Sequence, residues 1–226
     1  MKDDKLAPIK KEFEVINNIL LLAQSSFSIA GSLFINADRD EDAVIKQNTF
    51  LVYSMNINWR IMVIELCKLY PKDPDKESKN SHYNLPDFIR KICKEFNDKI
   101  TDEIADSLIN IIKREIDFYS GKETVKRLYI KRDKKFAHTD REDPTTGDDG
   151  LTFENIHELI RTAQYIVNDV HNILFGSTIH YGYTIGDPNL DLDKIVKRLA
   201  LDRRQLLAYQ LQHAKDMGID PKEILS

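Results

Sequence analysis

Apolar residues recur along most of this chain at alternating steps of three and four, the spacing of one face of a helix. The clearest run begins just after Pro8, and its members are Ile9, Phe13, Ile16, Leu20, Ala23, Phe27, Ala30 and Phe34. Its period of about 3.5 residues predicts a long helix over residues 8–36 that packs lengthwise against other helices. A proline in the first turn of that helix costs no hydrogen bond.

The same spacing recurs in several further segments. The helices that it predicts cover residues 42–70, 86–97, 101–120, 123–138 and 152–174. Thr101 and Thr152 stand where an N-cap is expected, and Pro71 ends the second helix because proline has no N–H to donate. Eight glycines and seven prolines are few for the many turns of an all-β fold. We therefore predict an all-α fold, an antiparallel helical bundle.

The pattern changes towards the C-terminus. Large apolar side chains alternate there with other residues, at Ile179, Tyr181, Tyr183 and Ile185. Alternation of this kind predicts a short extended segment within residues 177–189, and helical spacing returns over about residues 191–214.

This change defines two expected parts of the chain. We predict a helical bundle over residues 8–175 and an extension over residues 176–226 that packs on the bundle or on a second subunit. In the second case, Tyr181 and Tyr183 are candidates to hold the second subunit.

Composition narrows the class of protein. A net charge of −4 and a pI near 5.9 argue against a protein that coats nucleic acid with its whole surface, but they allow a local basic patch. Cys67 and Cys93 are too few for a disulfide framework, which favours a reducing compartment, the cytoplasm. No uninterrupted apolar run approaches the roughly 18 residues of a membrane helix, so we expect no membrane association.

The segment KRLYIKRDKKFAHTD, residues 126–140, is where such a patch is found. From Lys122 to Arg141 there are eight positive residues against three negative ones, a net of +5, whereas the rest of the chain carries −9. A patch of this sign favours a polyanion such as RNA. The residues that we expect to contact RNA are Arg127, Lys131, Lys134, Lys135 and Arg141.

Arg132 and His138 are the candidate reactive groups of this segment. Arg132 falls on the apolar face of the predicted helix together with Tyr129 and Phe136, and there a guanidinium must find an anion or several acceptors. The lysines around His138 favour a neutral imidazole, which can accept a proton. RNA cleavage without a metal needs a group that takes the 2′-hydroxyl proton and a cation that stabilises the phosphate. Arg132 and His138 diverge on one straight helix, so we favour a homodimer that brings two such pairs together.

The motif RDKKFAH resembles that of the HEPN superfamily, and RDKKFAHTD together with SHYNLPDFI resembles its AbiU-like abortive-infection branch. The resemblance covers roughly residues 8–175. It implies a metal-independent endoribonuclease without a cofactor, usually a homodimer with both motifs lining one cleft, often in phage defence or a toxin system with a regulatory or antitoxin partner. It assigns catalysis to Arg132 and His138 and a supporting polar role to Asp133, where the superfamily more often has asparagine.

Simpler interpretations stand beside these. Arg132 could form a structural ion pair, for example with Glu158, and His138 could cap a helix. The protein would then be a non-catalytic helical module that binds RNA, a nucleotide or a protein partner. No metal-ligand spacing, G-x-S-x-G or P-loop motif occurs, and Trp59 is expected in the core.

Overall fold

The structure is a computed structural model. The structure describes eight parts of the chain, which are residues 6–34, 39–72, 83–96, 106–111, 122–133, 150–179, 181 and 188–220. Every regular element within these parts is a helix, so the all-α prediction is confirmed.

The helices follow one another along the chain with bounds close to those expected. They are α1 (Ala7–Phe34), α2 (Arg39–Gln47), α3 (Thr49–Leu69), α4 (Leu85–Phe96), α5 (described over residues 106–111), α6 (Lys122–Ile130), α7 (Phe153–Phe175) and α8 (Pro188–Asp216). Thr101, the expected cap of α5, lies outside the described residues.

One predicted helix was wrong in its extent. The segment 42–70 forms two helices, α2 and α3, because Asn48 interrupts it. The Oδ1 atom of Asn48 accepts hydrogen bonds from the backbone N–H groups of Phe50 and Leu51, at 3.0 and 3.2 Å. Asparagine is among the best N-cap residues because its side chain satisfies N–H groups that the first turn leaves without a partner.

The start of α7 confirms the cap expected at Thr152. Its Oγ1 accepts a hydrogen bond from the Asn155 backbone N–H at 3.2 Å, and the Asn155 side chain accepts one from the Thr152 N–H at 3.3 Å. The helix ends at Gly176, which has a left-handed φ of 66° and donates its N–H to the carbonyl of Asn172. A reciprocal N-cap and a glycine C-cap explain why α7 has these bounds.

The chain folds into two compact units, each made of two separate stretches. The first unit comprises Met1–Phe27 and Trp59–Gly182, and the second comprises Ser28–Asn58 and Tyr183–Ser226. The second unit thus takes residues from within 8–175 as well as from the C-terminal part. The expected division into a bundle over residues 8–175 and an extension over residues 176–226 stays a prediction.

The core of the first unit is built from α1, α3, α4, α5, α6 and α7. Its largest fully buried side chains include Tyr70, Phe88 and Leu66. Burial of one such side chain contributes about 1.5–3 kcal/mol. Two tyrosine hydroxyls inside this core donate to backbone carbonyls, that of Tyr70 to Leu159 and that of Tyr129 to Cys67.

The second unit has a smaller core of its own. It is formed by buried side chains of α1, α2, α3 and α8, which are Leu33, Val44, Ile45, Leu51, Val196 and Ala200. The helix predicted over residues 191–214 is α8, which is a few residues longer at both ends.

Tyr181 belongs to the first unit and packs against residues of that unit. It packs against the main core, and its hydroxyl donates a hydrogen bond to Asn17 Oδ1 at 2.8 Å. The nearby Ile179 N–H donates to Asn168 Oδ1 at 2.7 Å. Tyr181 is therefore engaged within its own unit, its contact with a second subunit stays a prediction, and Tyr183 lies outside the described residues.

Among the described helices, α1 is long and apolar enough to cross a membrane by length and composition alone. That finding differs from the expectation based on uninterrupted apolar runs. It is weak evidence for a span, because core helices pass the same test. Phe13, Ile16, Leu20 and Ala23 of α1 lie buried in the core of the first unit, and 33% of the most apolar 18 residues of this helix are buried.

Candidate functional site at the end of helix α6

Helix α6 carries the basic segment and is fixed by one buried face. Val125, Leu128 and Tyr129 are buried at steps of three and one, so this face packs into the core of the first unit. After Ile130 the chain continues over residues 131–133 in a wider π-helical turn. Single π turns within helices are frequent at functional sites. Residues 134–138 of the predicted helix, including His138, lie outside the described residues.

The guanidinium of Arg132 is held from two directions. Its Nε donates a hydrogen bond to Asp133 Oδ1 at 2.8 Å, and its Nη2 lies 2.6 Å from the same oxygen. The guanidinium carbon lies 4.4 Å from the ring centre of Tyr129, in a cation–π contact worth about 0.5–2 kcal/mol. The side chain remains 38% exposed, so a ligand can approach it from solvent.

The acid that pairs with Arg132 is the adjacent residue. The structure gives Asp133 as the partner rather than Glu158, which corrects the partner suggested for a structural ion pair. Both side chains are well exposed, at 38% and 44%. Exposed ion pairs contribute about 0–1 kcal/mol to stability, so the main effect of this pair is on the orientation of Arg132.

The surroundings keep Arg132 charged. Partial burial lowers the pKa of Arg132, but the hydrogen bond and the charge of Asp133 outweigh that effect and leave the pKa above its ordinary value. Burial also raises the pKa of the nearby Cys67 thiol to about 12, against a smaller lowering by Arg132. Arg132 is thus a permanent cation beside a protonated thiol.

The other residues of the basic segment differ in how they are engaged. Arg127 Nη1 donates to the carbonyl of Gly150 at 2.8 Å, which links α6 to the start of the segment before α7. Lys131 Nζ lies 6.0 Å from the ring centre of Trp59. Lys134, Lys135 and Arg141 lie outside the described residues. The structure therefore brings Arg132 and Asp133 together and leaves the other predicted pairings untested.

Two aromatic residues lie beside these cations, and of the two only Trp59 was expected simply as a core residue. Tyr129 lies beneath Arg132, and Trp59 packs on Phe153 with ring centres 4.9 Å apart while Lys131 lies over it. Tyr129 precedes Arg132 by three positions, a spacing that places side chains together on a helix. That spacing could have indicated the contact, whereas nothing in the sequence connects Trp59 with Lys131.

A metal centre finds no support in the described residues. Within the ranges that the structure covers, no three His, Cys, Asp or Glu side chains come together as a metal ion requires. The groups that do converge at α6 are the Arg132 guanidinium, its Asp133 partner and the aromatic rings of Tyr129 and Trp59.

A family model described as AbiU2, of the HEPN_AbiU2 family, matches residues 16–195. The matched range includes both SHYNLPDFI and RDKKFAHTD. It also covers α6 and α7 completely. No curated protein and no solved structure matches the chain.

Proposed function

The chain belongs to the AbiU2 family of HEPN domains, and from this premise we propose that it is a metal-independent endoribonuclease acting in phage defence or a toxin system. The observation that carries the proposal is the charge, the partner and the exposure of Arg132. It is a permanent cation, held by Asp133 and open to solvent on one side, six positions before His138 in the chain. Such a preoriented cation is what a developing negative charge on a phosphate requires.

In the proposed reaction, the neutral imidazole of His138 takes the proton of an RNA 2′-hydroxyl. The 2′ oxygen then attacks phosphorus, and the bond from phosphorus to the 5′ oxygen breaks. The products are a 2′,3′-cyclic phosphate and a 5′-hydroxyl, whose proton comes from the imidazolium that His138 has become. Arg132 stabilises the charge on the phosphate, and Asp133 orients Arg132.

Assembly as a homodimer forms part of the proposal. Two copies would place two Arg132 and His138 pairs along one cleft, and the basic residues near α6 would attract the RNA backbone. An antitoxin or regulatory protein would restrain cleavage in the cytoplasm.

The pairing of Arg132 with Asp133 also supports a second candidate function. The carboxylate already satisfies the Nε and Nη2 edge of the guanidinium, as in a structural ion pair, and a structural ion pair takes no part in catalysis. A non-catalytic module that holds RNA, a nucleotide or a protein partner is compatible with that arrangement.

The test is incubation of the purified protein with mixed cellular RNA in excess EDTA, followed by analysis of the product ends. We expect cleavage that leaves 2′,3′-cyclic phosphates and persists in the chelator. His138→Ala should lower the rate by about 10²–10⁴-fold, as loss of a general base does. Arg132→Lys should lower it by about 10²–10³-fold, since a lysine does not reproduce the oriented guanidinium.

Matched substitutions in exposed residues serve as controls. His213→Ala in α8 and Arg161→Lys in α7 alter the same residue types away from the basic segment and should cleave as the wild type does. Full cleavage by His138→Ala would contradict the proposed mechanism. RNA binding without cleavage by the wild type would support the non-catalytic module instead.

A further inference from the structure

The geometry points to Tyr129 as a positioning residue that holds the Arg132 guanidinium in its working orientation. This inference rests on the proposed function, and it adds a residue that the sequence motif does not contain. Its basis is the contact of 4.4 Å between the guanidinium carbon of Arg132 and the centre of the Tyr129 ring.

Tyr129 itself is fixed by another helix. Its side chain is 8% exposed, and its hydroxyl donates a hydrogen bond of 2.9 Å to the carbonyl of Cys67 in α3. Val125 and Leu128 are buried on the same face of α6. A ring that is packed on its sides and bonded at its tip has one orientation, so it offers Arg132 a rigid surface.

Arg132 needs such a surface because an arginine side chain is long and its rotamers are many. Asp133 binds the Nε and Nη2 edge of the guanidinium, and the Tyr129 ring packs against its face, so both restrict its movement. These two constraints act in different directions, so neither replaces the other. Asp133 is itself 44% exposed on the π-helical turn, whereas Tyr129 connects Arg132 to the core.

The expected consequence concerns the transition state more than the binding of RNA. A guanidinium that loses its supporting ring still attracts a phosphate, but it spends less time in the orientation that the reacting phosphate requires. Loss of the ring should therefore lower kcat on the order of ten- to a hundredfold and change KM little.

Two substitutions of Tyr129 separate the ring from the hydroxyl. Tyr129→Leu removes the ring and keeps an apolar side chain, whereas Tyr129→Phe keeps the ring and removes only the bond to Cys67. Tyr165→Leu is the matched control, because Arg161 lies over the Tyr165 ring at 5.7 Å on the surface of α7. Tyr70→Phe controls for the loss of a buried hydroxyl that donates to a backbone carbonyl.

The measurements are kcat and KM for RNA cleavage and the NMR signal of the Arg132 Nε–H, assigned by its absence in Arg132→Lys. In Tyr129→Leu, we expect that signal to shift as the ring current is lost, together with the fall in kcat. Tyr129→Phe should keep the signal and most of the activity. Tyr165→Leu should move the Arg161 signal instead and leave kcat unchanged.

The result that overturns the inference is an unmoved Arg132 signal in a folded Tyr129→Leu, or a moved signal with unchanged kcat. Failure of the proposed function gives a different outcome. If the wild-type protein does not cut RNA, that function fails, and the Arg132 signal still decides whether the Tyr129 ring contacts the guanidinium in solution.

Discussion

Arg127 and Arg132 lie in one helical segment but contact different partners. Arg127 donates to the carbonyl of Gly150 and so connects two parts of its own unit. Arg132 contacts Tyr129 and Asp133 and keeps 38% of its side chain exposed. A count of positive charges treats the two alike, because it does not contain their partners. Arg127 is as exposed as Arg132, at 39%, so its contact with RNA stays a prediction.

The bond between Arg127 and Gly150 leads to a prediction for Gly150→Ala. Gly150 has a φ of +62°, and a Cβ atom there would lie 2.7 Å from Arg127 Nη1. An alanine in this left-handed conformation should lower the free energy of unfolding by about 1–2 kcal/mol. Displacement of Arg127 from its hydrogen bond should add about 1 kcal/mol. Urea denaturation measures the sum.

Gly176→Ala supplies the control for that measurement. Gly176 has nearly the same φ, +66°, but no atom lies within 4 Å of the position that its Cβ would take. It should show the backbone cost without the displacement of Arg127. Equal destabilisation by both substitutions would show that the Arg127 bond contributes nothing measurable.

At the scale of the element, local signals explain most helices and their ends. Apolar spacing predicted α1, α4, α7 and α8, and the Thr152 cap was predicted correctly. These features depend on residues a few positions apart, which the sequence displays directly. The division of residues 42–70 was missed because the apolar pattern continues across Asn48, which is not a proline or a glycine.

The cap at Asn48 leads to a prediction for Asn48→Ala. Loss of the side-chain acceptor removes the hydrogen bonds that the Phe50 and Leu51 N–H groups donate to it. This loss should lower the free energy of unfolding by about 1 kcal/mol. Asn58→Ala within the same helix is the control, since its side chain only donates to the Ser54 carbonyl one turn earlier. Alanine favours the helix interior, so Asn58→Ala should be neutral or stabilising. Destabilisation of equal size in both would contradict the role of Asn48 as a cap.

At the scale of the whole molecule, a buried thiol and a buried tyrosine hydroxyl make the free energy of unfolding depend on pH in the alkaline range. The pKa of Cys67 rises from 9.0 to about 12 on burial, and burial raises the pKa of Tyr129 as well. Because the folded pKa exceeds the unfolded one, the unfolded chain releases these protons first. The stabilisation is complete below the unfolded pKa and is lost as the pH rises towards the folded value.

We therefore predict that the free energy of unfolding falls between pH about 9 and about 12. Urea denaturation at a series of pH values measures this slope. Cys67→Ala should give a flatter slope than Cys93→Ala, which removes the second thiol of the chain. A steeper or unchanged slope in Cys67→Ala would mean that Cys67 does not contribute to the dependence.

The sequence by itself determined most of the helices, the likeness to HEPN domains and the placement of Arg132 late in the chain's helical part. Each of these depends on residue spacing or on a short motif, and both are local. The periodic pattern also marked Tyr129 as buried. It did not show what Tyr129 contacts, because burial is a property of one residue and a contact is a property of two.

Only the tertiary structure decided what fixes the neighbours of Arg132 on the helix. The Cys67 carbonyl that fixes Tyr129 is 62 positions away in the chain, and Trp59, beneath Lys131, is on the same distant helix. Gly150, which accepts from Arg127, is 23 positions away. Packing of α3 and α6 in one core selects such partners from many that are chemically equivalent. The orientation of the candidate catalytic arginine therefore depends on the packed core through Tyr129, whose partner in α3 no local pattern records.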